Sequence, residues 1–181
     1  FSNLDFYLDG QNMAFLYITA KGTTVTFNSV NAKGAKTNAS GNTGVYTVYS
    51  RGVLDFVGCK NYCSVASTDT YVAGFVGYPL NNVTFTRCTN YADIAAEKAG
   101  AFICNAAWCG KATFVDCDNE GRLISVADSN MCFAVSAPDS LLIKDSKLSS
   151  SFGSNGGELI VDNVTLANMK NRDNMVVMGI E

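Results

Sequence analysis

Histidine is absent, proline occurs twice, and Lys, Arg, Asp and Glu together make up only 16% of the 181 residues. Without histidine the readiest general base and metal-ligating ring are missing, so any acid–base chemistry falls to carboxylates. Two prolines exclude a Pro-rich linker. The charged share is below the roughly 25% usual in soluble domains, yet no run approaches the ~18 uninterrupted apolar residues of a membrane-spanning helix. A surface made of Ser, Thr and Asn is what remains. A net charge of −3 and a pI near 4.9 argue against a nucleic-acid binder, which carries a basic stripe. No charged leader with an apolar run and small-residue cleavage site precedes Phe1. Residues 175–181 read as a strand that stops, so the sequence is expected to be a piece of something longer.

What is there is a period. Phe56, Phe85 and Phe114 are 29 residues apart, as are Cys59, Cys88 and Cys117, and Asn61, Asn90 and Asn119. The same step reaches back to Phe27, within Thr24-Val25-Thr26-Phe27, and forward to Ile143, within Leu141-Leu142-Ile143-Lys144-Asp145-Ser146. A second apolar segment recurs with looser spacing, through Phe15, Tyr46, Phe75, Phe102, Phe133 and Met175-Val176-Val177. A shorter one lies between the two, at 63–66, 92–95 and 122–126. Each repeat thus offers three short β-type segments joined by Gly, Asn, Asp and Ser turns. Late in the chain, Leu142-Ile143-Lys144-Asp145-Ser146 is echoed 17 residues on by Leu159-Ile160-Val161-Asp162-Asn163. The Ser- and Gly-rich stretch 149–157 between them reads as a coil shortened to a loop.

A unit of this length cannot bury its own apolar face. Stacking copies in register places Phe on Phe and Cys on Cys, about 4.8 Å apart, and lets each strand pair with the coils above and below. The predicted fold is therefore all-β: a right-handed parallel β-helix, a solenoid of three strands per coil and about six coils. Right-handedness is the preference of parallel crossovers. A single domain covers 1–181, with a first partial coil at 1–22, regular coils at 23–140 and irregular terminal coils at 141–181. Helical periodicity fails because the segments are short, rich in Val, Phe, Thr and Tyr, and broken every few residues. No Leu-x-x-Leu-x-Leu lattice supports a leucine-rich repeat, and propeller blades need ~40–50 residues each.

Residues Cys88-Thr89-Asn90-Tyr91-Ala92-Asp93-Ile94, followed by Ala99-Gly100-Ala101-Phe102-Ile103, resemble the Cys-Thr-Asn-Tyr-Gly-x-Ile and Gly-Gly-x-Val-Gly repeats of large surface proteins in bacteria and protists. Ala73-Gly74-Phe75-Val76-Gly77-Tyr78 fits the second phrase more closely. Leu142-Ile143-Lys144-Asp145-Ser146-Lys147-Leu148 is similar to the coil pattern of pectin-lyase-like β-helices. The resemblance spans residues 24–166 and implies the fold; such repeats serve adhesins, lyases and scaffolds alike.

Seven cysteines at irregular intervals make a poor disulfide framework. The Cys59, Cys88, Cys117 ladder reads as buried small side chains. Bridges along it are awkward, because parallel stacked side chains leave Cβ atoms about 4.8 Å apart where a disulfide prefers ~3.8 Å. With no histidine and no Cys-x-x-Cys pair, neither a metal site nor a cofactor is expected. Arg87, Asp116 and Asp145 share one phase and should form an outward column with Asp118 beside it. In polysaccharide-cleaving β-helices such acidic clusters bind calcium or do acid–base work; the plainer reading is a solvated column with an Arg–Asp pair between coils. Tyr62 and Tyr91 should stack, either as a sugar platform or as cover for a corner. Trp108 falls on a turn, as a contact residue or a seal. Asn38, Asn82 and Asn163 head Asn-x-Ser/Thr sequons and are candidate glycosylation sites.

The favoured function is a non-enzymatic structural or adhesive module of a larger surface or filament-forming protein, extracellular or on the cell surface. Neighbouring domains or protomers would stack on its ends, and glycans are a further partner class. Two alternatives stand beside it: a carbohydrate-active or carbohydrate-binding β-helix using Arg87, Asp116, Asp118 and Asp145, and a cytoplasmic cytoskeletal scaffold in which unpaired thiols are at home.

Overall fold

A computed structural model describes residues 1–11, 14–37, 43–67, 71–125, 139–148, 158–162 and 165–166. Every described element is a β-strand, and every strand pair is parallel. The chain is a β-solenoid whose described residues make about four turns. Six strands do stack on its first face, formed by 24–28 of Thr24–Thr37, then Val53–Val57, Val83–Thr86, Lys111–Val115, Ser140–Lys144 and Glu158–Asp162. The rest of the upper coils falls at 126–138 and 149–157, outside the described residues.

The 29-residue step holds in the register itself: Phe27, Phe56, Phe85, Phe114 and Ile143 pair in succession. Along Val53–Val57 burial alternates, with Leu54 and Phe56 inside, which is the period-2 pattern of a strand with one face in the core. A coil holds five strand segments where three are expected. In the second coil these are Val53–Val57, Lys60–Asn61, Ser64–Ala66, Tyr71–Ala73 and Val76–Pro79.

The first two segments are separate because the chain bends between them through a left-handed residue. Asn3, Ser29, Gly58, Arg87, Asp116 and Asp145 all have φ between 48° and 62°, one above another. A stacked bend must be made by every coil in the same way, so the conformation recurs even where a side chain makes it costly. A second bend, at Gly74, separates the last two segments. A Cβ there would lie 2.5 Å from Ala101 O and 2.7 Å from Asn90 Oδ1, so the close approach excludes any larger residue.

Aromatic rings fill the core in two interlocked columns. Phe27, Phe56, Phe85 and Phe114 stack face to face with centroids 4.7–5.0 Å apart. Tyr46, Phe75 and Phe102 stack likewise, 4.8 and 5.0 Å apart, and meet the first column edge-on. Tyr46 is buried, and its hydroxyl lies 2.8 Å from both Val30 O and Lys60 O, so a polar group sits in the column without being orphaned.

Near the far end the echo pairs with a step of 18, not 17: Leu141 lies on Leu159 and Ile143 on Val161. A one-residue slip exchanges the two faces of a strand, so steps of 17 and 18 are different registers.

Candidate functional site

The outward residues of the first bend and of the next short strand form parallel columns up the solenoid. One holds Gly58, Arg87, Asp116 and Asp145, with Arg87, Asp116 and Asp145 exposed. The next holds Asn31, Lys60, Thr89 and Asp118 in direct register. The structure thus brings Arg87, Asp116, Asp118 and Asp145 to one face. The expected Arg–Asp pair is not formed: among the described residues, neither Arg87 nor Asp116 makes an ion pair.

Tyr62 and Tyr91 stack with centroids 4.9 Å apart and planes 3° from parallel, and each is 43% exposed. Each ring covers one face of the other. A second exterior pair, Tyr49 and Tyr78, stacks at 5.5 Å, with the Arg51 guanidinium 5.7 Å from the Tyr49 ring. Sequence reasoning missed it, although the 29-residue step between the two tyrosines was there to be read.

Ion pairs lie beside these columns. Lys33 Nζ is 2.6 Å from Asp5 Oδ2, and Arg122 meets the Asp93 carboxylate one coil below. Hydrogen bonds from these cations hold both carboxyls below the usual carboxylate range. All four side chains are well solvated, so each pair contributes little to stability.

The more specialised chemistry points inward. Asn61, Asn90 and Asn119 are buried and form a hydrogen-bonded ladder: Asn61 Nδ2 donates to Asn90 Oδ1 at 2.7 Å, and Asn90 Nδ2 to Asn119 Oδ1 at 2.8 Å. Each amide also turns back on its own chain, to Cys63 O, Ala92 O and Gly121 O. The asparagines are legible as repeat markers; their bonding is not, because nothing in one sequence says which polar residues face inward.

Cys59, Cys63, Cys88, Cys104, Cys109 and Cys117 are all buried and free. Burial pushes the thiols of Cys63 up to about 11 and of Cys88 and Cys109 up to about 12. Cys59 is raised too, first by its hydrogen bond with Cys88 and then by burial. These are inert thiols, the reverse of the depressed pKa a reactive cysteine needs. Among the described residues no group of three or more Cys, Asp or Glu side chains is placed to hold a metal ion.

Lys36 also lies inside, wholly buried, with its Nζ 2.7 Å from Thr43 Oγ1 and 3.3 Å from Gly44 O. Of the sequons, Asn82 stands exposed at the turn before Val83–Thr86; Asn38 and Asn163 lie outside the described residues. Trp108 is 68% exposed, and the turn is anchored instead by Cys109, whose thiol donates to Asn81 O at 3.1 Å. Among the described residues no helix is long and apolar enough to cross a membrane. Neither a family model, nor a curated protein, nor a solved structure matches the chain.

Proposed function

We propose that this chain is a structural module, a stacking β-solenoid that lends length and end-on contacts to a larger surface or filament-forming protein. The observation that carries this reading is the inward direction of its polar chemistry. The Asn61–Asn90–Asn119 ladder bonds coil to coil, and the described thiols are all buried. The first end supports it as well. Ser2–Gln11 and Leu16–Thr19 each pair on one side only among the described residues. Phe1, 53% exposed, lies 5.4 Å from Phe27 and continues the first column. A parallel edge with no partner among the described residues, beside an apolar ring, suits pairing with a further coil, from the same longer chain or from another copy.

Ser2→Pro tests this. Asn28 N donates to Phe1 O and Ser2 pairs with Asn28, so the backbone groups of Ser2 point away from Thr24–Thr37, to the side with no partner among the described residues, and a proline there spares the inner ladder. Concentration-dependent sedimentation that disappears in this variant supports end-on stacking. A monomer at every concentration in both proteins refutes it for copies of this chain.

Surface placement is part of the proposal, and intact mass from the natural source tests it. A glycan at Asn82 places the chain outside the cytosol, whereas seven alkylatable thiols without sugar favour the cytoskeletal alternative. Carbohydrate binding is a second reading, supported by the exposed Tyr62–Tyr91 pair beside Lys60 and Arg87. Titration with acidic oligosaccharides against Tyr91→Ala decides it.

A further inference from the structure

We infer that Lys36 is a built-in weak point, setting how readily the first coil opens from the rest of the solenoid and making that opening depend on protons. Lys36 pairs with Val65, Val65 with Ile94, and Ile94 with Leu123, so the lysine occupies an interior position that the next three coils fill with an aliphatic side chain. Gly10 pairs with it on the other side and brings no side chain of its own.

Among the described residues the groups around it are neutral. Thr43 Oγ1 and Gly44 O accept from its Nζ; the Cys63 thiol faces it from the turn before Ser64–Ala66. The nearest carboxylate on the strand below, Asp9, is exposed, one register position away. Buried amines without a countercharge resist protonation, and burial lowers this one to about 8. At neutral pH the folded chain therefore holds a cation in its apolar column. Opening the strand that carries Lys36 returns that cation to water, at the cost of its pairing with Ser2–Gln11 on one side and with Val53–Val57, Lys60–Asn61 and Ser64–Ala66 on the other. Opening also bares the lower edge of the second coil, where a neighbouring strand would pair.

The proton dependence follows from linkage. An amine at about 8 when closed and ~10.4 when open makes the opening constant fall roughly thirty-fold between pH 6.5 and 9.5. Cys63 works against it, since a thiol at about 11 when closed ionises near 8.5 once open and raises the opening constant roughly ten-fold by pH 9.5. The clean background is therefore Cys63→Ala. This inference goes beyond the structural reading and does not depend on it.

The experiment is native-state hydrogen exchange of the amides at 35–37, corrected for intrinsic rates, at pH 6.5 and 9.5. In Cys63→Ala protein, protection should rise by roughly thirty-fold at the higher pH. Adding Lys36→Met, which continues the aliphatic column, should raise protection at pH 6.5 and abolish the pH dependence. Adding Lys36→Arg instead, charged at both pH values, should keep protection low at both. Protection in Cys63→Ala that does not change with pH, or that changes equally with Met at 36, overturns the inference.

Discussion

Asn90→Ala is the substitution that most directly tests how the coils are held together. The Asn90 side chain is wholly buried and makes three hydrogen bonds: from Asn61 Nδ2 at 2.7 Å, to Asn119 Oδ1 at 2.8 Å and to Ala92 O at 2.9 Å. Alanine fits the backbone, since Ala32 fills the same interior position in the first coil. Its cost is thus chemical, not conformational. Asn119 Oδ1 and Ala92 O lose a donor, and Asn61 Nδ2 keeps only its 3.3 Å bond to Cys63 O. An orphaned buried polar group costs about 1–3 kcal/mol, and the small cavity adds to it. The expected loss is roughly 3–5 kcal/mol, a large share of the stability of most domains. Urea unfolding followed by far-ultraviolet circular dichroism measures it.

Asn90→Asp separates bonding from shape. A carboxylate there cannot donate to Asn119 Oδ1 or Ala92 O, so this variant is unstable at neutral pH. Once protonated it regains one donor and the burial of a charge is relieved, so its stability relative to Asn90→Ala rises on acidification. A loss below about 1 kcal/mol for Asn90→Ala, or an aspartate variant without pH-dependent recovery, refutes the ladder as a source of stability.

Further outcomes follow from other columns. Phe85→Ala removes a ring stacked at 4.7 and 5.0 Å on its neighbours and should cost about 3–5 kcal/mol by the same assay. Arg87→Gly relieves a left-handed residue at φ 53°; the strain of about 1–2 kcal/mol is partly offset by glycine's unfolded entropy, leaving a gain of up to ~1 kcal/mol and a thermal midpoint higher by a few degrees. Gly74→Ala should destabilise by more than about 2 kcal/mol, because its methyl would overlap Ala101 O and Asn90 Oδ1. Alkali should unfold the protein: Cys63, Cys88 and Cys109 stay protonated to about 11–12 when folded but ionise near 8.5 when unfolded, so each removes roughly 2 kcal/mol by pH 10. Lys36 acts in the opposite sense, its lowered pKa adding stability as pH rises from about 8. A midpoint denaturant concentration that does not fall between pH 8 and 10 counts against buried, protonated thiols.

The repeat was legible because stacking in register writes itself into sequence as identity at a fixed step. Phe56, Phe85 and Phe114 look alike because each packs on the next. The bends were harder. Gly58, Asp116 and Asp145 suit a left-handed turn, but Arg87 at the same step hides the signal, and the first strand segment merges with the second unless the bend is known. The 17-residue echo compared residue types alone, whereas the strands pair with a step of 18. Lys36 was invisible because Lys33-Gly34-Ala35-Lys36 reads as a surface turn. Stepping back 29 from Val65 is the one route to it.

Aromatic stacking and the ladder do different work in this solenoid. Apolar burial is non-directional, and a two-residue slip between coils would still keep apolar side chains inside. It would also set the amide of Asn90 against Cys59 or Cys63 of the coil below, since these flank Asn61 by two positions. A weakly bonding thiol would then replace an amide that accepts at 2.7 Å. Rings therefore supply most of the driving force, while the asparagines penalise the wrong register. In the first coil the same column holds Ala32 in place of an asparagine and the neighbouring aliphatic column holds Lys36. Register specificity and apolar packing thus both weaken in the same coil, which is why that coil is where opening and exchange are expected.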